Sequence, residues 1–287
     1  MVKDDVYQRI RERTGSMSRA QKKIAAYIEH HPDAAPFLTA AKLAEKAGVG
    51  EATVVRFAVM LGFSGYTQMQ QRLQEEMRQR VTTVERLDLA EDVYPEESRM
   101  AFEVMQDDMN NLQQTLNRLD AATFAEAVRR ICGAREIKVV AFRSSHSLGY
   151  FLTFYLHLLL QNTELIDNSD TMFERLAGLE EEDLLIGIGF PRYTARTLQA
   201  LQFSRSRGVP TLALTDSGAS PLAGETDLCL FASSRLPSFV DSFTAPLSLV
   251  NGLLTAVGQT VKEQASQRLS KMEELWESEG IYHPGGE

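Results

Sequence analysis

Residues 39–63 read TAAKLAEKAGVGEATVVRFAVMLGF, and their periodicity decides the fold of the N-terminal part. Thr39 is a good N-cap for a helix AAKLAEKA that ends at Gly48. A second helix starts around Glu51 and stops at Gly62. The joint, Gly48-Val49-Gly50, is the tight glycine-bearing turn that sets two helices near a right angle. Leu43, Ala44 and Ala47 give the first helix a small apolar face, and Val54, Phe57, Ala58 and Leu61 give the second its buried stripe. That stripe leaves Glu51, Ala52, Thr53, Val55 and Arg56 outward, at the end that enters a major groove in a helix-turn-helix. Arg56 and Thr53 can each bond a base edge or a phosphate, Val55 can touch a thymine methyl, and Glu51 can accept from a cytosine amine. Lys42, with Lys22, Lys23 and Lys46, suits phosphate contacts, which give affinity but little sequence information. On spacing alone, a plain helical bundle with a solvated charged face is the alternative.

Outward from this stretch, Ile24, Tyr27 and Ile28 share a face of a helix opened near Ser18 and closed by His31-Pro32. A third helix follows Ser64 and carries Tyr66, Met69 and Leu73. Periodicity fades over 81–92 and Pro95 marks a break, which predicts a linker at 81–95 between an all-α domain at 1–80 and a second domain at 96–287. Residues 96–119 predict an amphipathic helix with Met105, Met109, Leu112 and Leu116 on one face, and Asp120 caps another helix over 121–131. The texture then changes to β-rich runs: IKVVAF (137–142), TELID (163–167), DLLIGIGF (183–190), PTLALTD (210–216) and DLCLFA (227–232). Helical patterns at 146–160 and 193–207 alternate with them, so the second domain reads as α/β, a parallel five-stranded sheet covered on both faces. One long helix over 241–278 is expected to close the chain.

Charge divides along the same line. Residues 1–80 hold 13 Lys/Arg against 9 Asp/Glu, while the rest holds 17 against 30, so nucleic acid is expected to contact the N-terminal part. Cys132 and Cys229 have no metal-ligand or redox spacing and read as buried, reduced thiols. The opening MVKDDVYQRI lacks an apolar signal core, and the apolar run 150–160, interrupted by Thr153 and His157, is too short for a bilayer. A cytoplasmic protein without a membrane partner, metal or cofactor is the expectation.

Two strand-to-helix junctions carry candidate ligand chemistry. VVAFRSSHS (139–147) places Arg143, Ser144, Ser145, His146 and Ser147 at a helix start, where free amides and the dipole favour an anion. IGIGFPRYTART (186–197) does the same with Arg192, Tyr193, Thr194 and Thr197, and Thr215-Asp216-Ser217 follows the fourth strand. Both junctions sit where open parallel sheets bind ligands. Simple capping by these hydroxyls is the alternative. An isomerase would need a base, and His146, His157 and Asp241 are the candidates. His157 lies in an apolar helix and reads as a core residue, Asp241 has no evident partner, and no acid/base pair emerges.

The motif S-x-A-Q-K-K-I-A-x-Y-I from Ser18, then LAEKAGVGEATVVRF and LGFSGY up to Tyr66, closely resembles the N-terminal domain of the RpiR family of bacterial transcriptional regulators. Residues 124–258 resemble the sugar isomerase (SIS) domain, the usual C-terminal partner in that family. The resemblance implies a DNA-binding regulator of a carbohydrate-metabolism operon. It further implies a phosphosugar or related anionic metabolite held by Ser144, Ser145 and Thr194, and pairing into a homodimer or higher oligomer on double-stranded operator DNA. The family's first loop usually reads Gly-x-Gly-x-Ser and its second Ser-x-Ser-Gly-x-Thr. Here Arg143 and Arg192 stand at glycine positions, and Gly189 and Pro191 replace both serines of the second loop. Either arginine can supply positive charge where hydroxyls are lost. The alternative is a sugar-phosphate isomerase with an accessory helical domain.

Overall fold

A computed structural model of the chain describes residues 6–32, 34–80, 82–94 and 96–283. Val81 and Pro95, the ends of the expected linker, lie outside the described residues, as does the first half of the opening segment. The chain divides into two compact units, Met1–Val104 with Leu236–Asp241, and Met105–Arg235 with Ser242–Glu287.

The first unit is helical: α1 (Val6–Arg13), α2 (Arg19–His30), α3 (Ala40–Ala47), α4 (Glu51–Met60), α5 (Tyr66–Arg80) and α6 (Thr83–Val93). Ser18 opens α2 with a reciprocal capping box to Gln21. The core joins Val6 and Ile10 of α1 to Ile24 and Ile28 of α2, Leu43 of α3, Phe57 of α4, and Met69 and Leu73 of α5. Tyr66 donates to the Leu38 carbonyl at 2.6 Å, and burial pushes its phenol well above the usual range.

Most of the segment expected to be a linker is helix α6. Its start is fixed by a second capping box: Glu85 accepts from the Thr82 amide at 2.6 Å and from its hydroxyl at 2.7 Å, and the Glu85 amide donates back to Thr82 Oγ1 at 3.3 Å. Arg86, only 6% exposed, donates to the carbonyls of Ser238 and Val240, both at 2.8 Å, and to Asp241 Oδ1 at 2.9 Å. Asp241 thus has a partner, and it lies outside any helix.

The second unit opens with α7 (Met100–Arg118, most of which it holds) and α8 (Ala121–Gly133), the latter capped by Asp120 through the Thr123 amide at 2.7 Å. There follow β1 (Ile137–Ala141), α9 (His146–Leu160), β2 (Thr163–Ile166), α10 (Met172–Leu176), β3 (Leu184–Ile188), α11 (Ala195–Ser206), β4 (Thr211–Thr215) and β5 (Leu228–Phe231). All strand pairs are parallel and the order is β2-β1-β3-β4-β5. Alternate strand residues face opposite layers. Val139, Ile186, Leu212 and Leu214 pack with α8, α9 and the last helices, while Val140, Leu185 and Ala213 pack with Met172, Leu176, Ala200 and Leu201 of α10 and α11.

The closing helix is kinked rather than continuous, and it begins later than its periodicity predicts: α12 (Thr244–Thr260) and α13 (Lys262–Ser278) meet at Val261, with φ −102° and ψ 22°. Val261 donates to the Val257 carbonyl at 3.0 Å and accepts from the Ala265 amide at 2.9 Å, so hydrogen bonding of helical spacing continues through the junction. Helix α7 is inverted relative to ordinary amphipathic packing. Its polar Asn111 and Thr115 are buried, while Met105, Met109, Leu112 and Leu116 are exposed. Asn111 and Thr115 reach the irregular segment following β5, accepting from the Ser233 and Arg235 amides and donating to the Arg235 carbonyl. Cys132 and Cys229 are free but only partly buried, and burial pushes both thiols up. Among the described residues no helix is long and apolar enough to cross a membrane.

At the N-terminal edge of the sheet Asp183 is sealed beneath Arg135, which donates to it at 3.0 and 2.7 Å, with the Glu136 and Glu180 amides at 3.1 and 2.8 Å. The guanidinium and these amides hold the Asp183 carboxyl below the usual carboxylate range against the opposing effect of burial. Its contribution to stability is therefore full above the unfolded value of about 3.9 and is lost as pH falls through the folded value. Asp183→Asn is expected to cost about 2 kcal/mol at pH 7. The loss relative to wild type should shrink as pH is lowered toward 2. A pH-independent difference in melting temperature would refute the assignment.

Candidate DNA-reading and ligand-binding sites

The turn between α3 and α4 is built as its glycines require. Gly48 closes α3 in the left-handed region (φ 63°), and the Val49 amide returns to the Ala44 carbonyl at 2.9 Å. Gly50 then precedes α4 and accepts from the Thr53 amide at 2.8 Å. Val54, Phe57 and Ala58 are fully buried, which turns Glu51, Ala52, Val55 and Arg56 to solvent and leaves Thr53 half-buried. Lys42 is exposed on α3, as are Lys46 and, on α2, Lys22 and Lys23.

Two features of this module escape the periodicity argument. Arg9 donates to the Leu61 carbonyl at 3.0 Å while lying 4.7 Å from the centre of the Phe63 ring, and Arg13 reaches the Met60 carbonyl. Cations from α1 thus satisfy the orphan carbonyls at the C-terminus of α4 and fix its axis. Val59 is also outward, 53% exposed, extending the exposed apolar strip of α4 from Val55 by one turn.

In the α/β unit, β1 has β2 on one side and β3 on the other, so the strand order reverses there. Ligands of open parallel sheets bind outside the carboxyl ends of strands at such a switch point. Residues 142–145 leave β1 and residues 189–194 leave β3, so Arg143, Ser144, Ser145 and His146 stand at the strand ends beside Arg192, Tyr193 and Thr194. Gly149 sets the seat of α9: a Cβ there would lie 2.6 Å from the Ala141 side chain. Glycine therefore lets the helix start tight against β1.

Each residue of these junctions has a distinct environment. Ser145, 6% exposed, is the N-cap of α9 but its side chain makes no capping hydrogen bond, and the same is true of Thr194 at the start of α11. By contrast Ser18, Thr39 and Asp120 all cap their helices through the side chain. Ser144 and Arg143 are exposed and His146 is half-buried. Ser147 is exposed in the first turn of α9, its hydroxyl donating to the Ser144 carbonyl at 2.8 Å. Thr197 is fully buried and shares a 2.8 Å hydrogen bond with the Thr194 hydroxyl, which makes it a support for Thr194. Tyr193 donates to Asp216 Oδ1 at 2.6 Å and so ties in the loop after β4.

Arg143 (φ 57°) and Arg192 (φ 64°) both adopt the left-handed backbone, a conformation that costs a non-glycine residue about 1–2 kcal/mol. The isomerase candidates disperse instead. His157 is exposed, and its Nδ1 lies 3.3 Å from the Thr163 carbonyl at the start of β2, the end of the sheet opposite these loops. A core histidine was expected there from its apolar flanks, but the residue lies on the outer face of α9. Asp241 is bound to Arg86.

Comparison with known proteins agrees with both halves. The rpiR-family helix-turn-helix domain matches residues 5–80, and the SIS domain matches residues 130–256. The sugar isomerase domain of an RpiR transcription factor from Sphaerobacter thermophilus is 33% identical, with a TM-score of 0.60 over 61% of this chain and 99% of that one. The chain belongs to the RpiR family of transcriptional regulators. The HTH-type transcriptional regulator HexR of Pseudomonas aeruginosa is 27% identical over 79% of this chain and 78% of its own. The NanR protein of Vibrio vulnificus, solved in complex with ManNAc-6P, shares the fold at 20% identity, with a TM-score of 0.58 over 98% of this chain and 100% of that one.

Within an RpiR-type reading head, Arg56 is the exposed cation of α4. Arg56→Ala is expected to weaken operator binding by about 1–3 kcal/mol, with relaxed preference at one base position. A uniform loss across all sequences in a binding-site selection would make it a phosphate contact instead, and unchanged affinity would displace the reading face.

Proposed function

We propose that this regulator reads a double-stranded operator through Glu51, Ala52, Thr53, Val55 and Arg56 of α4, with Lys42 on the backbone. A phosphosugar or related anionic metabolite would bind the loops at the β1/β3 switch point and control a carbohydrate-metabolism operon. The observation that carries the ligand half is the pair of uncapped helix starts, Ser145 and Thr194, at the ends of adjacent strands. Helix dipole ends, hydroxyls and the side chains of Arg143 and Arg192 together suit an anion. NanR, of the same fold, is complexed with a sugar phosphate, which supports the ligand class.

An isomerase reading has less behind it. The candidate bases other than His146 lie away from the loops or are paired, and the relatives are named as regulators. One recognition helix offers too few base contacts for genomic selectivity, so two copies on a palindromic site are part of the proposal. The apolar stripe of α7 supplies a seam: Met105, Met109 and Leu116 are each more than half exposed. The division into a reading head at 1–80, a connecting segment and a ligand domain at 96–287 belongs to the same proposal. Ligand shifts operator affinity only as far as it favours one arrangement of the two heads.

Ser145→Ala with Thr194→Ala is expected to abolish the response of operator binding to sugar phosphates while leaving basal DNA affinity within about twofold. Loss of DNA binding in that variant would sink the two-module reading. Conversely, Met109→Lys with Leu116→Lys should give a monomer by sedimentation with unchanged helicity, since neither side chain is buried in the single chain. A dimer persisting at micromolar concentration would move the seam elsewhere.

A further inference from the structure

The outer face of α4 is apolar where its neighbours carry charge. Outward positions of α2 include Lys22 and Lys23, and those of α3 include Lys42, Glu45 and Lys46. On α4, after Glu51 at its first position, they are Ala52, Val55, Arg56 and Val59. These four fall within an arc of about 100°, opposite the buried Val54, Phe57 and Ala58. Val55 is 40% exposed and Val59 53%, and among the described residues up to Gln74 no other large apolar side chain is exposed. The two stand four residues apart, about 6 Å along the axis. Folding does not account for either: both are uncovered in the single chain, and a β-branched side chain is a poorer helix former than alanine, lysine or glutamate.

Positive charge stands at both ends of this strip. At the turn before α4 the Lys23 ammonium lies 3.9 Å from where a Cβ on Gly48 would be. At the other end Arg13 reaches the Met60 carbonyl and Arg9 the Leu61 carbonyl. Arg56 lies within the strip itself. The centre of a protein–protein interface is depleted of charge, so a second polypeptide is a poor match to this pattern. The major groove of a duplex matches it: about 12 Å wide, it is bordered by phosphates, and the methyl group of thymine is the apolar feature of its base edges. Valine has no hydrogen bond to give a base. It discriminates by covering a methyl, and against cytosine it leaves a polar amine without a partner. We propose that Val59 is a second specificity-determining residue of the reading helix, and that Val55 and Val59 each cover a thymine methyl in the operator. Their separation spans about two base steps of ~3.4 Å where the helix axis follows the groove. This rests on α4 being the reading helix.

The test uses the full chain. Selection from a random duplex pool gives the operator, and each thymine of that site is replaced in turn by uracil, which removes the methyl and keeps every hydrogen-bonding group. At two thymines of each half-site the replacement is expected to weaken binding about fourfold, the worth of one buried methyl group, read by fluorescence anisotropy at fixed salt. Val59→Ala should erase the penalty at one of them and Val55→Ala at the other, while Val59→Ile keeps it. Neither side chain is buried in the single chain and alanine is the better helix former, so both alanine variants should melt at or above the wild-type temperature. Uracil tolerated at every position, or every penalty surviving Val59→Ala, would overturn the inference; the reading helix would stand if Arg56→Ala still relaxes one base position. A selected sequence unchanged by Val55→Ala, Val59→Ala and Arg56→Ala, or no sequence selected at all, would overturn the reading helix and this inference with it. A DNA-free dimer that Val59→Lys dissociates would give the face to a second copy and overturn the inference as well.

Discussion

Parallel pairing of β1 with both β2 and β3 is the constraint from which the candidate ligand site follows. A parallel strand must be followed by a crossover, so its next helix starts at its carboxyl end. Because β2 turns to one side of β1 and β3 to the other, the helices after β1 and β3 begin in adjacent positions and pack on opposite faces. Two positive dipole ends are thereby aimed at one crevice before any side chain is chosen. Gly149 is the local condition for this, since only a residue without a Cβ lets α9 begin so close to β1.

Charge is then laid over that geometry in opposite senses. At the amino end of the sheet cation and anion are neutralised in pairs: Arg135 with Asp183, and Lys138 between Glu136 and Glu164. At the carboxyl end Arg143 and Arg192 stand on strained backbone beside uncapped helix starts. Pairing at one end stabilises the fold; left-handed backbone held at two arginines at the other costs stability and is a reason to read function there. The same contrast appears in the reading head. Arg9 and Arg13 are spent on holding α4 in place, whereas Arg56 on its outer face forms no ion pair among the described residues.

The strands and most helices were legible because their signals are local. Continuous apolar runs such as 184–188, Ser18 and Thr39 as caps, and the two glycines of the turn specify backbone conformation within a few residues. The site junctions were legible for the same reason, since a strand end followed by hydroxyls needs no long-range information. What escaped depends on distant partners. Helix α6 begins with Thr-x-x-Glu, a signal present in the sequence, yet its weak amphipathicity hid it. Asn111 and Thr115 of α7 are buried only because the segment after β5 gives them backbone groups to bind, over a hundred residues away. Arg143 and Arg192 could be named from their positions, but their left-handed backbone belongs to the packed loops.

Helix α7 shows why such inversions matter for function. Its buried face gains fixed hydrogen bonds and little hydrophobic energy, because Asn111 and Thr115 exchange water for backbone amides at a modest net gain. The apolar surface that would ordinarily drive folding lies on the opposite face, with Met105, Met109 and Leu116 in solvent. At about 25 cal/mol per Å2 that surface contributes nothing until another apolar surface covers it. Hydrogen bonding thus orients the helix within its own unit, and its apolar face lies uncovered in the single chain. If a second copy supplies the cover, oligomerisation and the placement of the segment after β5 are set by two faces of one helix. Rotation of α7 would then change both together, giving a physical route by which events in the α/β unit alter assembly.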